Sequence, residues 1–190
     1  GGLGKAKDDH GAAAIGALAS PHQTLEELYL LQKLVRGLGS GNVDFRLRQS
    51  DFSADGKTSG VPWLGMKIAG INDLARALVI GSVLRREHPL IAHRLRQATK
   101  RGLELSVLNP IDDDLLMPVA HTAIVAPGAM VHTLAQVVKA AAGARNASAT
   151  ESVRSALEGV EVTEGAERVA RGFASGQKCA VLLGTLAQHH

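Results

Sequence analysis

Eight histidines, one cysteine, a run of aspartates and several glycine clusters are the residues of this 190-residue chain whose types could do chemistry. Their spacing argues against most of it. His88 and His93 stand five apart, which does not bring them to one helix face. His121 and His132 are isolated, His189 and His190 are adjacent, and no HExxH-type spacing occurs. These histidines read as solvated or hydrogen-bonded rather than metal-ligating. Asp112, Asp113 and Asp114 lack the spaced oxygens and the glycine of a calcium loop, so they read as a solvated loop. Cys179 sits inside an apolar strand pattern, where a thiol behaves as a small hydrophobe, and no GxSxG elbow supplies a nucleophilic serine. Gly37, Gly39 and Gly41 follow a helix pattern; a dinucleotide fingerprint would lie between strand and helix, so they read as a helix stop. Gly81 and Gly184 do end apolar strand patterns, where an α/β sheet forms its ligand crevice, but neither opens a full glycine pattern. The last cluster is basic. Arg85, Arg86, Arg94, Arg96, Lys100 and Arg101 surround one expected helix and suit either an anion or acidic partner, or solvent.

The elements that would position these residues follow from periodicity. Ala12–Leu18 is a short apolar run, expected as a buried strand. Thr24 and Glu27 form a capping box ahead of a helix whose inner face is Leu28, Leu31, Val35 and Leu38. Residues 42–48 suggest a short strand, and the turn-rich residues 50–65 a linker between two lobes. A short helix over 66–76 leads to a buried strand, Ala77–Ile80. Pro89 opens a helix with Ile91, Leu95 and Ala98 inward, stopped by Gly102. Strands at Leu103–Leu108 and Thr122–Val125 follow, then an Ala-rich helix over Met130–Ala142. Residues 141–148 resemble a second linker. Ser148 and Glu151 form another capping box, with a helix to about Glu158. A further helix over 164–175 turns Ala166, Val169, Ala170 and Phe173 inward, and Lys178–Leu183 is the last strand. Strands alternating with helices of this length mean α/β architecture with a parallel sheet.

Composition bounds the class. A chain of this length buries enough surface to need no disulfide or metal staple, and one cysteine can hold neither an iron–sulfur cluster nor a zinc thiolate site. It fits a reducing compartment. No apolar run reaches the ~18 residues of a membrane span. Net charge is only +3, with five aromatics, none inside a basic cluster, which argues against nucleic acid as a partner. The first methionine is Met66, so residue 1 is expected to be a processing boundary and the chain part of a longer protein.

Two stretches carry a family resemblance. Thr24–Asn42, TLEELYLLQKLVRGLGSGN, resembles the TNEENYLLQKxARxxGTNN segment of molybdopterin oxidoreductases. Gly81–Pro89 (GSVLRREHP) and Ile91–Asn109 (IAHRLRQATKRGLELSVLN) resemble their GSNPxENHP loop and the helix and strand ending in KRGAKLIVVDPR. The resemblance implies two Rossmann-like lobes with parallel sheets flanked by helices, one inserted in the other. Residues 53–147 would form the inserted lobe, and 1–52 with 148–190 the discontinuous one. It also implies a pterin crevice lined by Gly81, Ser82, His88, Pro89 and Asn109. The departures are informative. Val83 and Leu84 replace the Asn and Pro of the family loop. VDPR becomes Leu108-Asn109-Pro110-Ile111, which loses an acid and a phosphate-fitting arginine fork. The family's metal-ligating cysteine aligns with Ser50. Together these changes imply loss of cofactor and metal binding.

Such degeneration resembles one branch of the family, the large iron–sulfur subunit of NADH-quinone oxidoreductase (respiratory complex I). That likeness implies a cofactor-free scaffold with no catalytic residues of its own. The iron–sulfur clusters would lie in a cysteine-rich region upstream, and the partners would be other peripheral-arm subunits. The location would be cytoplasmic, peripheral to the bacterial inner membrane. The alternatives are a molybdopterin-binding domain of formate dehydrogenase or nitrate reductase type, and a stand-alone anion- or nucleotide-binding module using the arginine-rich helix.

Overall fold

The computed structural model describes residues 1–20, 22–45, 56, 63–145, 150–174 and 178–189. The chain divides into a unit over residues 1–57 with 189–190 and a larger one over 58–188.

The smaller unit opens with α1 (Gly2–His10), a polar helix with no buried residue that the periodicity did not anticipate. A 3-10 turn over Ala12–Ala14 and β1 (Ala17–Leu18) follow. Of the buried strand expected over Ala12–Leu18, only Ala17 and Leu18 form strand, and Leu18 is exposed. Side chains distant in sequence take carbonyls that precede this strand. Ser40 Oγ donates to the Ile15 carbonyl at 2.6 Å and Asn42 Nδ2 to that of Ala13 at 2.8 Å, and Gly11, at φ 81°, turns the chain just before the run. Helix α2 (Leu25–Gly37) starts as expected: Glu27 N–H donates to Thr24 Oγ1 at 3.2 Å, and Thr24 N–H to Glu27 Oε2 at 2.8 Å. Its Val35 is buried, while Leu28, Leu31 and Leu38 are half-buried. β2 (Val43–Asp44) pairs parallel with β1, Ala17 opposite Val43. Residues 46–48 of the expected strand lie outside the described residues, as does most of the expected linker at 50–65.

The larger unit is a parallel four-stranded sheet between two helical layers. The short helix expected over 66–76 is a 3-10 helix over Ile68–Asp73. β3 (Arg76–Ile80), α3 (Leu84–Glu87), α4 (Pro89–Thr99), β4 (Glu104–Asn109) and β5 (His121–Ile124) follow. Then come α5 (Met130–Arg145), α6 (Glu151–Ala156), α7 (Glu164–Ala174), β6 (Cys179–Leu183) and α8 (Thr185–His189). The strand order is β5-β4-β3-β6. Pro89 occupies the first turn of α4, as expected, where its missing N–H costs nothing. The capping box expected at Ser148 falls outside the described residues; α6 is capped by Thr150 without a side-chain hydrogen bond and ends at Ala156.

Alternation along the strands sorts the core into two faces. Ala77, Val79, Leu105, Val107, Ala180 and Leu182 meet Ala92, Leu95 and Ala98 of α4. Leu78, Ile80 and Leu108 meet Met130 and Leu134 of α5, with Val169 and Phe173 of α7 packed alongside. The placement of residues 150–174 and 178–188 differs from the expected lobes. They were expected with residues 1–52, but β6 pairs with β3 in register, Ala77 opposite Ala180 and Val79 opposite Leu182. Ala180 and Leu182 complete the same buried face as Ala77 and Val79, so burial draws β6 into the larger sheet. No helix among the described residues is long and apolar enough to cross a membrane.

Candidate functional site

The strand order places the sheet's switch point between β3 and β6. Chain order runs from β3 outward through β4 and β5, then returns to the other side of β3. Ligands of open α/β sheets bind beyond the carboxyl ends of strands at such a point. Here those ends are Gly81 and Gly184.

The two glycines meet each other rather than bounding a gap. Gly184 N–H donates to the Ile80 carbonyl at 2.8 Å, Leu186 N–H to that of Gly81 at 3.1 Å, and Gly81 N–H to that of Leu108 at 2.9 Å. A Cβ added at Gly184 would overlap Ser82 Cβ and the Gly81 carbonyl oxygen and lie 2.6 Å from Ser82 Cα. A Cβ on Gly81, whose φ is 63°, would lie 2.7 Å from Ala187 N. Both positions require glycine because backbone of the β6–α8 junction lies directly on the turn after β3.

Two side-chain polar groups at this turn are hydrogen-bonded within it. Ser82, buried, donates its hydroxyl to Glu87 Oε2 at 2.7 Å. Asn109, also buried, donates from Nδ2 to the Ser82 carbonyl at 3.1 Å. Leu84 fills the core under the loop, and Val83 is half-buried above it. Gly81, Ser82 and Asn109 are thus brought together. His88 and Pro89 are exposed at the start of α4, separate from this cluster, and Ser50 lies outside the described residues. Sequence reasoning missed Glu87 and Ala187. Nothing in their spacing marks them, because their role depends on where α3 and α8 pack.

Beside Asn109 lies a hollow of about 220 Å³ lined by Asp112, Asp113, Asp114, Met117 and Thr122. Asp113 Oδ2 is buried there without a hydrogen-bond partner among the described residues, Asp114 Oδ1 accepts from Leu116 N–H at 2.8 Å, and Arg85 donates to the Asp114 carbonyl. Three carboxylates make this hollow hostile to a phosphate or diphosphate. Among the described residues no group of three or more His, Cys, Asp or Glu side chains is placed to hold a metal ion. Cys179 lies half-buried in β6. The arginines expected around one helix are split: Arg85 and Arg86 lie on α3, and Arg94 and Arg96 on α4.

Comparison with known proteins agrees with the motifs. The molybdopterin oxidoreductase family pattern matches residues 3–189. The oxidoreductase YjgC of Bacillus subtilis is 34% identical over 106 residues, which is 53% of this chain and 11% of that protein. A Staphylococcus aureus protein named as a formate dehydrogenase is 35% identical over 98 residues, covering 50% of this chain and 10% of it. The alpha subunit of a formate dehydrogenase from Methanocaldococcus jannaschii is 33% identical over 100 residues, covering 50% of this chain and 15% of it. The chain thus spans between a tenth and a sixth of the length of these relatives.

Proposed function

Because the chain belongs to the molybdopterin oxidoreductase family, we propose that it is a domain of a larger oxidoreductase in which the old pterin crevice has become packing. It serves there as a cofactor-free scaffold, in the manner of the large iron–sulfur subunit of NADH-quinone oxidoreductase. The observation that carries this reading is the closed junction of Gly81–Ser82 with Gly184–Ala187. A pterin with its diphosphate needs an open cradle of backbone N–H groups and a cationic fork. At this junction the N–H groups of Gly81, Gly184 and Leu186 are bonded to backbone carbonyls, the Ser82 hydroxyl to Glu87 and the Asn109 amide to the Ser82 carbonyl. The adjacent hollow is acidic. These residues do not fit the group, and no reaction step passes through them.

On this reading the whole enzyme moves electrons from NADH to quinone through iron–sulfur clusters carried elsewhere in the same polypeptide. This domain would bear against other peripheral-arm subunits at the cytoplasmic face of the membrane. Asn109→Leu in the whole enzyme tests the division of labour. It should lower the amount of assembled enzyme but leave turnover per assembled enzyme unchanged. Loss of turnover with assembly intact would contradict the scaffold reading.

The second reading is a molybdopterin-binding domain of formate dehydrogenase type, favoured by the names of the relatives. It requires the junction to open so that Gly81, Ser82, His88, Pro89 and Asn109 face the pterin. The same Asn109→Leu variant would then lose formate oxidation along with its molybdenum.

A further inference from the structure

A second cavity, of about 550 Å³, lies in the outer helical layer between α4 and the 3-10 turn at Ile68–Asp73. It shares no residue with the crevice. Its α4 wall is the stripe Leu90, Arg94 and Gln97, spaced i, i+4 and i+7, which brings the three to one side of the helix, and Arg101 follows just past the helix end. Ile68 and Ile91 supply apolar surface. Leu90 is 78% exposed and Ile68 53% exposed.

Large side chains left this open beside unpaired charge mark a contact surface. The groove's lining holds two arginines and His93 but no carboxylate. Among the described residues neither Arg94 nor Arg101 pairs with a carboxylate. Arginine is enriched among interface anchors; here the apolar neighbours would add buried area and the guanidinium choice of partner.

We propose that this groove docks an acidic amphipathic helix of a partner protein. Leu90, Ile68 and Ile91 receive a large apolar side chain of that helix. Arg94 on α4 and Arg101 just past its end receive two carboxylates on one face of that helix. The apolar walls favour a protein helix over a nucleotide, which would want backbone N–H donors and a glycine-rich turn. The inference gives the scaffold reading a partner-facing surface but stands on the groove itself, since a cofactor-loaded domain would present the same surface.

The test uses the complete protein and two fluorescein-labelled helical peptides. One carries glutamates two turns apart around a central Leu-Phe pair, and its twin carries lysines at the same positions. Anisotropy titration at low salt should show the glutamate peptide binding about tenfold or more tighter than the lysine peptide. Arg94→Glu with Arg101→Glu should reverse that preference, and Leu90→Ala should weaken binding of the glutamate peptide several-fold. All three positions are exposed or half-buried, so unchanged thermal melting verifies the fold. An unchanged peptide preference in the charge-reversed protein would overturn the proposal. So would absence of glutamate-peptide binding, or displacement of that peptide by ATP or phosphatidylserine vesicles at lower concentration than by unlabelled peptide. Molybdenum content bears on the scaffold reading alone, so either idea can fail without the other.

Discussion

Gly184→Ala probes the closed junction with a single methyl group. The added Cβ would overlap Ser82 Cβ and the Gly81 carbonyl and lie 2.6 Å from Ser82 Cα. Ordinary carbon contacts are about 3.5–4.0 Å, so the strand end and the turn must part by about 1 Å. Every opposing atom is backbone or Cβ, and no flexible side chain can swing aside. Parting them strains the hydrogen bonds from Gly184 N–H to the Ile80 carbonyl (2.8 Å) and from Leu186 N–H to the Gly81 carbonyl (3.1 Å). Each such bond contributes about 1 kcal/mol net, and forced repacking adds about 1–3 kcal/mol. The expected loss is therefore about 3–5 kcal/mol, a fall of roughly 10 °C in Tm for a chain of this size. Urea denaturation and calorimetry measure it. Gly70→Ala is the control, because a Cβ there meets nothing within 4 Å; it should change stability by less than about 0.5 kcal/mol. If Gly184→Ala is as stable as that control, the junction is open in solution and the packing argument fails.

Three further outcomes follow from the same contacts. Leu95→Ala removes a fully buried side chain from the α4 face of the core and should cost about 2–5 kcal/mol by urea denaturation. Thr24→Ala should cost the smaller unit about 0.5–2 kcal/mol, and adding Glu27→Ala should cost less than the two single changes together, because both residues serve one capping box. Ser82→Ala removes a 2.7 Å bond to the Glu87 carboxylate. It should lower stability by about 1.5–3 kcal/mol if that acceptor is left without a replacement, read from the shift in denaturation midpoint at constant slope.

The sequence was most legible where a pattern is local. Pro89 with Leu95 and Ala98 defined α4, Thr24 with Glu27 defined the start of α2, and the inward set on α7 included Ala166 and Ala170, both buried. It was least legible where a distant residue decides. The run Ala12–Leu18 has strand composition, but Ser40 and Asn42 take the carbonyls of Ile15 and Ala13, and only Ala17–Leu18 remains strand. β6 could be recognised as a strand, yet its neighbour could not, since an apolar run does not encode which sheet it joins; its register with β3 overrode the expected lobes. Likewise Gly81 and Gly184 were visible as strand-ending glycines that could flank a crevice. Only the positions of Ser82 and Ala187 reveal that they close it.

The central claim, a family fold whose pterin crevice has become packing, is tested most directly by metal and pterin analysis of the intact protein purified anaerobically. The account expects molybdenum and tungsten far below stoichiometry, and no fluorescent pterin after acid iodine oxidation. Molybdenum in stoichiometric amount together with pterin fluorescence, both lost in Asn109→Leu, would contradict it.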